Sequence, residues 1–485
     1  VRRPLVAVAL VSAALIGSAL GGCALAPTPA APPAQLEAAS LGLSMTATPA
    51  LPAHWWQAFG DPQLDALVER ATRDSPSLNE ALARLERAEA DARAAGSVLE
   101  PRVDAAGTVV RERYSARYII PPPYAGTSAW DSQLSLGIGW QLDFWGRQRA
   151  VIRAAERTAA ARAFDARAAQ LALEGAVVGR YLELERSHAL ADIAADAEHT
   201  REQVFELTRR RVAAGLDTEV ELRTAAALLP EARVARGEAR VATELAVHQL
   251  AALTGQGALA YAQLSRPQLS DADAPALPAV LPADLLLRRP DVQAALARVD
   301  AASAAVDVAQ LASYPDINLR AFAGFAALSL SDLLSAPART YGAGPALSLP
   351  IFDAGLLRER LHGAGADLEA AVAQYDATVL NAVREVADEL TRLAALERQL
   401  QDHQQRLDLV SDAGRLVEKR YAAGIANQLA VLDAHARVLA ARGVLVNTRA
   451  LARTSRAALT VALGGGTEAA AAAAPVPTAS AQAAP

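Results

Sequence analysis

The chain repeats itself, and that repetition restricts its possible folds more than any other feature. Glu80-Ala81-Leu82-Ala83-Arg84 recurs as Ala294-Ala295-Leu296-Ala297-Arg298, and Pro101-Arg102-Val103 as Pro315-Asp316-Ile317, both displaced by 214 residues. Arg211-Val212-Ala213-Ala214-Gly215-Leu216 recurs as Arg420-Tyr421-Ala422-Ala423-Gly424-Ile425, displaced by 209. The difference of five residues puts a longer insert in the first copy, between Pro101 and Gly146. Two homologous halves, 77–255 and 290–466, account for these matches better than chance, with a Pro- and Asp-rich connector at 256–289.

The hydrophobic period changes in the same order within each half. Amphipathic helices are expected over 77–99 and 290–313, the second with Pro290 in its first turn. The period then drops to two. Over 132–144 the even positions Leu134, Leu136, Ile138, Trp140, Leu142 and Phe144 are apolar, and the intervening residues are small or polar. Residues 316–325 and 341–351 alternate in the same way, and 102–115 less cleanly, so each half carries one hairpin and the chain four strands. The helical pattern then returns. Gly146 to Gly215 and Gly355 to Gly424 are both separations of 69 residues without a proline, long enough for helices of about 100 Å. That exceeds the roughly 30 Å of a bilayer's hydrocarbon core several-fold and suits an aqueous compartment. Arg209, Arg210, Arg211, Lys419 and Arg420 suit the final turns, and Gly215 and Gly424 suit left-handed caps. Thr218-x-x-Glu221 reads as a capping box and Asn427 as a cap, opening helices at 218–253 and 427–463. Pro230 predicts a kink or break in the first of these.

Composition agrees with long packed helices, since 52% of residues are hydrophobic, mostly alanine, while only 4% are aromatic. The formal charge is -6 and Lys419 is the only lysine, which leaves no nucleic-acid footprint. The single cysteine, Cys23, excludes an intrachain disulfide and a Cys-rich metal site. It follows a basic start at Arg2-Arg3, an apolar run from Leu5 to Leu20, and Gly21-Gly22. This arrangement predicts a signal peptide over 1–22 and resembles the lipobox of bacterial lipoproteins, in which the cysteine is acylated; an ordinary signal peptide is the plainer reading. In such lipoproteins an Asp after the cysteine retains the protein at the inner membrane, and Ala24 stands there instead, which favours the outer membrane. Residues 23–76 are expected to form a lipid-anchored segment with a short helix, and 467–485 has the composition of a disordered tail.

Four strands with a lipid-compatible face cannot close a barrel alone, and open strand edges are not tolerated in lipid. Several copies must each contribute four, and three copies would give twelve. Trp55-Trp56-Gln57-Ala58-Phe59-Gly60-Asp61-Pro62-Gln63-Leu64, then Leu67 and Ser75-Pro76-Ser77-Leu78, then Leu285-Leu286-Leu287-Arg288-Arg289-Pro290-Asp291-Val292, resemble the NodT-type outer-membrane efflux lipoproteins of the TolC-like outer-membrane factors. The resemblance runs from Cys23 to about Gly466. It implies a mainly α fold with a membrane β-barrel portion: a homotrimeric twelve-stranded barrel continued by a periplasmic α-helical barrel. It further implies an exit duct for drugs or toxic small molecules, served by an RND-type inner-membrane pump and a periplasmic adaptor. Type I protein secretion is an alternative cargo, and a non-conducting periplasmic coiled-coil scaffold is an alternative of another class. No nucleophile-base pair, metal motif or cofactor loop points to an enzyme, and the only covalent group implied is lipid on Cys23.

In that family the paired helical turns form the periplasmic aperture and meet the adaptor. Ala214-Gly215-Leu216 and Ala423-Gly424-Ile425 match those turns, although the glycines also serve simply as caps. Many relatives carry an acid two places after the second glycine, and Ala426 replaces it here. This leaves Ile425, Asn427 or Gln428 as candidates for the narrow point, and Asp217 as either an aperture acid or a helix cap. Trp130, Trp140, Trp145, Tyr118 and Tyr124 suit interfacial girdles or ordinary packing, and Pro121-Pro122-Pro123 a stiff outer loop. Histidines 54, 188, 199, 248, 362, 403 and 435 lack metal-ligand spacing, and Gly464-Gly465-Gly466 closes a helix rather than cradling phosphate.

Overall fold

The computed structural model describes residues 34, 36, 51–117, 119–270 and 288–466. The expected signal peptide, Cys23, nearly all of the segment up to residue 50, Tyr118, the middle of the connector and the tail 467–485 lie outside the described residues. The order of elements is α1 (Pro62–Asp74), α2 (Pro76–Gly96), β1 (Arg102–Arg113), β2 (Ser128–Leu142), α3 (Arg147–Ala213) and α4 (Glu219–Leu253). Then follow α5 (Pro290–Leu311), β3 (Asp316–Ala327), β4 (Arg339–Ser348), α6 (Leu356–Ala422) and α7 (Gln428–Ala462).

The duplication is visible element by element. Helices α3 and α6 are both 67 residues long and α4 and α7 both 35, each pair displaced by 209. At 1.5 Å per residue the longer pair measure about 100 Å each. Strands β1 and β3 are both 12 residues long and displaced by 214, so the extra five residues lie beyond Arg113, in the first hairpin.

The chain divides into two compact units. One comprises 84–162 and 295–375 among the described residues and holds an antiparallel sheet in the order β1-β2-β3-β4. Its outer strands β1 and β4 are edges, and Pro345, which has no amide to donate, sits on one of them. Tyr314 packs against Trp145 with ring centroids 5.3 Å apart. Arg153 and Arg157 of α3 pair with Asp307 and Asp300 of α5 at 3.1 and 3.4 Å.

Three strands end earlier than their alternation suggests: β1 stops at Arg113 rather than 115, where the first hairpin loop begins, and β2 and β4 stop short of the long helices. The expected strand positions 143–144 and 349–351 fall outside β2 and β4 because acids there turn to cap the long helices. Asp143 accepts the amides of Gln148 and Arg149, both at 3.0 Å. Asp353 accepts those of Gly355 and Leu357 at 3.0 and 2.7 Å. The Leu357 amide in particular holds the Asp353 carboxyl below its ordinary range. Cap formation satisfies helix amides that would otherwise lack partners, and it outweighs the two or three further strand residues.

The other unit comprises 51–83, 163–270, 288–294 and 376–466, with residue 36. Its core joins Trp55, Trp56, Leu64, Leu67 and Val68 to Val177, Val178, Tyr181 and Leu184 of α3 and Leu250 of α4. Alanine fills the remaining helix contacts, including Ala450, Ala452 and Ala457 on α7. Of the kink or break expected at Pro230, the break does not occur: α4 continues through this residue, whose ring is exposed. The missing amide costs one helical bond on a wet face, and buried Ala225 and Leu229 hold the other face. Gly464 and Gly465 have φ of 94° and 62° and end α7, with the Gly465 amide on the Thr460 carbonyl at 2.9 Å. Gly466 has a packing role as well: a Cβ there would stand 1.5 Å from the Pro52 carbonyl oxygen, so the N-terminal segment crosses directly over it. Among the described residues no helix is long and apolar enough to cross a membrane.

Candidate channel wall and aperture turns

The register of the sheet separates a largely apolar face from a largely polar one, with Val110 and Phe322 the large apolar residues on the polar side. Ile138 of β2 lies opposite Val103 and Ala321, and Leu136 opposite Ala105 and Ala323. Ala323 in turn faces Tyr341, and Ile317 faces Leu347. One face therefore collects Val103, Val109, Leu134, Leu136, Ile138, Trp140, Leu319, Phe325 and Leu347. The opposite face collects Asp104, Thr108, Glu112, Asp131, Gln133, Gln141, Asp316, Asn318 and Arg320. Leu136 is 58% exposed, although it is central in the apolar face. An apolar surface of this extent demands a non-aqueous neighbour.

Stagger sets the tilt. Val103 near the start of β1 is level with Ile138, whereas Leu347 near the end of β4 is level, through Ile317, with Leu142. Set with these helix-side ends level around a closed barrel, four residues of offset over three strand spacings correspond to a tilt of about 40°, within the range such barrels adopt. Along β2 the ten residues from Trp130 to Trp140 then rise about 25 Å along a barrel axis, the height of a lipid-facing band. Trp140 and Trp145 mark the lower margin. Their indole N–H groups donate to the carbonyls of Leu99 and Pro315 at 2.8 and 2.9 Å, next to the starts of β1 and β3. Trp130 is the upper aromatic, and Tyr124 lies exposed in the loop beyond it.

The two helical turns are built alike. Gly215 and Gly424 both have φ of 71°, and a side chain there would meet nothing within 4 Å, so backbone conformation alone calls for glycine. The Leu216 amide donates to the Arg211 carbonyl and the Ile425 amide to the Arg420 carbonyl, both at 2.8 Å, the six-to-one closure of a Schellman motif. The next helices begin at once. Thr218 and Glu221 form a reciprocal capping box, and Asn427 accepts the Ala430 amide at 2.9 Å. Leu216 and Ile425 end up exposed at matching positions, at 67% and 68%. Ala214, Ala423 and Gln428 are exposed beside them.

Asp217 is not the helix cap, because Thr218 fills that position. Its carboxylate instead receives both Arg211 nitrogens, at 2.7 and 2.9 Å. The bidentate hydrogen bond from Arg211 holds the Asp217 carboxyl below its ordinary range. Ala426 stands at the equivalent place in the second turn, so Arg420 has no such latch there. The structure brings residues together within each turn; among the described residues no hydrogen bond or ion pair joins one turn to the other.

The segments that carry the family resemblance are structural clamps. Asp61 accepts from the Gln63 amide, the Tyr181 hydroxyl and the Gln268 amide at 3.0, 2.6 and 2.7 Å. Burial, and then this bond to Asp61, push the Tyr181 phenol above its ordinary range. Arg289 grips Asp291 and Glu385 and donates to the Ala462 carbonyl at 2.8 Å, so a cation meets the end of α7. An Asp before Pro at a helix start is a readable cap signal. Its partner Tyr181, 120 residues away, is not readable. Among the described residues no group of histidine, cysteine or acidic side chains could hold a metal.

A four-stranded sheet with one lipid-suited face and open edges, in a chain whose helices are far longer than a bilayer is thick, marks the class of membrane channels that combine a β wall with long helices. The scaffold alternative gives such a sheet no role. The chain belongs to the outer membrane efflux protein family, which matches residues 67–256 and 281–465. It is 40% identical over 318 residues to the fusaric acid resistance protein FusA of Burkholderia cepacia, a match covering 65% of this chain and 60% of FusA. It is 32% identical over 416 residues to TtgC of Pseudomonas putida, described as a probable efflux pump outer membrane protein, covering 85% of each chain. Among solved structures the outer membrane protein VceC of Vibrio cholerae superimposes with a TM-score of 0.79 at 33% identity, covering 86% of this chain and 100% of VceC. The fold is that of the TolC-like channels, and the protein is an outer-membrane efflux channel.

Proposed function

We propose that three copies of this chain close a twelve-stranded barrel through their β1 and β4 edges and conduct small toxic molecules passively out of the cell. One observation carries this: a four-stranded sheet with one largely apolar face, whose two edges lack partners. Cargo would arrive from an inner-membrane pump of the RND type through a periplasmic adaptor that docks on the paired turns. Ala214, Gly215, Leu216, Ala423, Gly424 and Ile425 would form the docking tip, with Asp217, Asn427 and Gln428 beside the aperture. The names fusaric acid resistance protein for FusA and toluene efflux pump outer membrane protein for a second TtgC speak for small-molecule rather than protein cargo. Passive conduction needs no catalytic group and no cofactor. Acyl chains on Cys23 would supplement the barrel's hold on the membrane, and the repeats 77–255 and 290–466 would act as equivalent wall segments around the connector 256–289.

The test is electrical. Purified full-length protein should migrate at three times the chain mass and give discrete conductance steps in planar bilayers. A monomer without pores refutes the proposal. Cys23→Ser should abolish palmitate labelling while leaving conductance intact; labelling that persists refutes the anchor.

A further inference from the structure

The acids of the sheet all fall on one face. The four strands contain the acids Asp104, Glu112, Asp131 and Asp316, and the register puts all of them on the polar face with Arg102 and Arg320. Only three charged residues of the strands stand on the apolar face: Arg111, Arg113 and Arg339. Arg111 and Arg113 lie at the hairpin end of β1, and Arg339 begins β4 at its own hairpin end, so all three lie away from the helices. Arg111 is level with Trp130, and Arg339, through Phe325, with Leu134. That offset is the same four residues that separates Val103 from Leu347. Under one tilt Arg111 and Arg339 therefore stand at one height, roughly 20 Å above the lower end of the apolar face.

Each guanidinium is exposed. Among the described residues none of the three makes an ion pair or hydrogen bond; Arg111 lies over the Trp130 ring at 5.6 Å. An arginine at mid-membrane depth costs about 2–4 kcal/mol, a cost that falls toward zero at the interface, so this height is where such residues are tolerated. Tolerance does not explain why acids are excluded from the same face. Guanidinium groups above an apolar wall match a ligand with acyl chains below and phosphate above, since the planar fork binds phosphate oxygens in pairs.

We infer that Arg111 and Arg113 of one copy, with Arg339 of the next, bind the phosphorylated headgroup of an outer-leaflet lipid at each seam of the barrel. This rests on the closed-barrel reading, because β1 and β4 are opposite edges of one sheet and only pairing between copies brings them to about 5 Å strand spacing. The lipid's acyl chains lie along Val109, Leu134 and Tyr341 on the same face.

The experiment uses full-length protein in detergent with diphosphoryl lipid A, and counts retained lipid by native mass spectrometry. Wild type should retain lipid at its seams. Arg111→Gln/Arg113→Gln/Arg339→Gln should bind it roughly a hundredfold more weakly, from about fivefold per cation removed near an anionic surface. Arg102→Gln/Arg320→Gln, which alters charge on the opposite face, should retain it as wild type does. Equal retention by the triple variant overturns the inference, as does equal retention by wild type of lipid A stripped of its phosphates, a comparison that needs no variant. Full displacement by inorganic phosphate would show a plain anion site and also overturn it. Conductance of the same wild-type preparation separates the two levels: pores without phosphate-dependent retention sink this inference alone, and absence of pores sinks the channel reading with it.

Discussion

Leu136→Arg is the most direct challenge to the assignment of the sheet's faces. Leu136 is central in the apolar face, between Trp130 and Trp140 on β2, and lies about 10 Å from the lower tryptophan and 15 Å from the upper along a tilted barrel. That is close to the midplane of a band about 25 Å tall, where arginine costs about 2–4 kcal/mol. In the proposed trimer three copies raise the cost to roughly 6–12 kcal/mol per assembly, and each 1.4 kcal/mol is a factor of about ten in an equilibrium. The matched control is Gln133→Arg, on the polar face and opposite Thr108 and Ala326, where the added charge meets water. Both variants would be expressed full length and compared by heat-resistant oligomer in outer-membrane fractions and by conductance steps. Leu136→Arg should lose most of the oligomer and Gln133→Arg should keep it. Equal yields from the two, or the reverse order, would refute the assignment of the faces and with it the barrel.

Tyr181→Phe removes a buried hydroxyl that serves Asp61 and Gln63, and should destabilise the N-terminal clamp by about 1–3 kcal/mol, read as a lower melting temperature and earlier proteolysis near Trp55. Because the Asp217 carboxyl is held low by Arg211, the latch in the first turn is fully formed above the ordinary carboxyl value and opens only as pH falls through the depressed one. Asp217→Asn should free the Arg211 cation at neutral pH and shift reversal potentials in a salt gradient toward anions; wild type should show that shift only in strong acid. Pro230→Ala restores an amide within α4 and should raise the melting temperature, by up to about 3 kcal/mol in stability; a fall would mean that the proline shapes the helix usefully.

Element types and order were legible because the chain states them twice. Gly146 to Gly215 and Gly355 to Gly424 marked both long helices, and the alternation of Leu134 to Leu142 marked the apolar face. Strand ends were less legible, since Phe144 continues the alternating pattern while Asp143 leaves it to cap α3. Local signals such as Thr218-x-x-Glu221 resolved the turns correctly, because a capping box is a contact over three residues. The Arg211–Asp217 latch spans six residues across a reversal of direction, and no helical or strand period records it. Long-range clamps were illegible for the same reason: nothing near Arg289 announces Glu385 or the end of α7.

The latch exists in only one of the two turns, and that asymmetry is open only to a duplicated chain. Six identical single repeats would make a ring in which any change appears at all six positions together. In the proposed trimer, three duplicated chains would make a ring of alternating tips, three pinned by Arg211 and Asp217 and three ending on Ala426 without a counterpart. Selection can then adjust grip and movement at neighbouring positions separately, keeping some points fixed while others are free to give way.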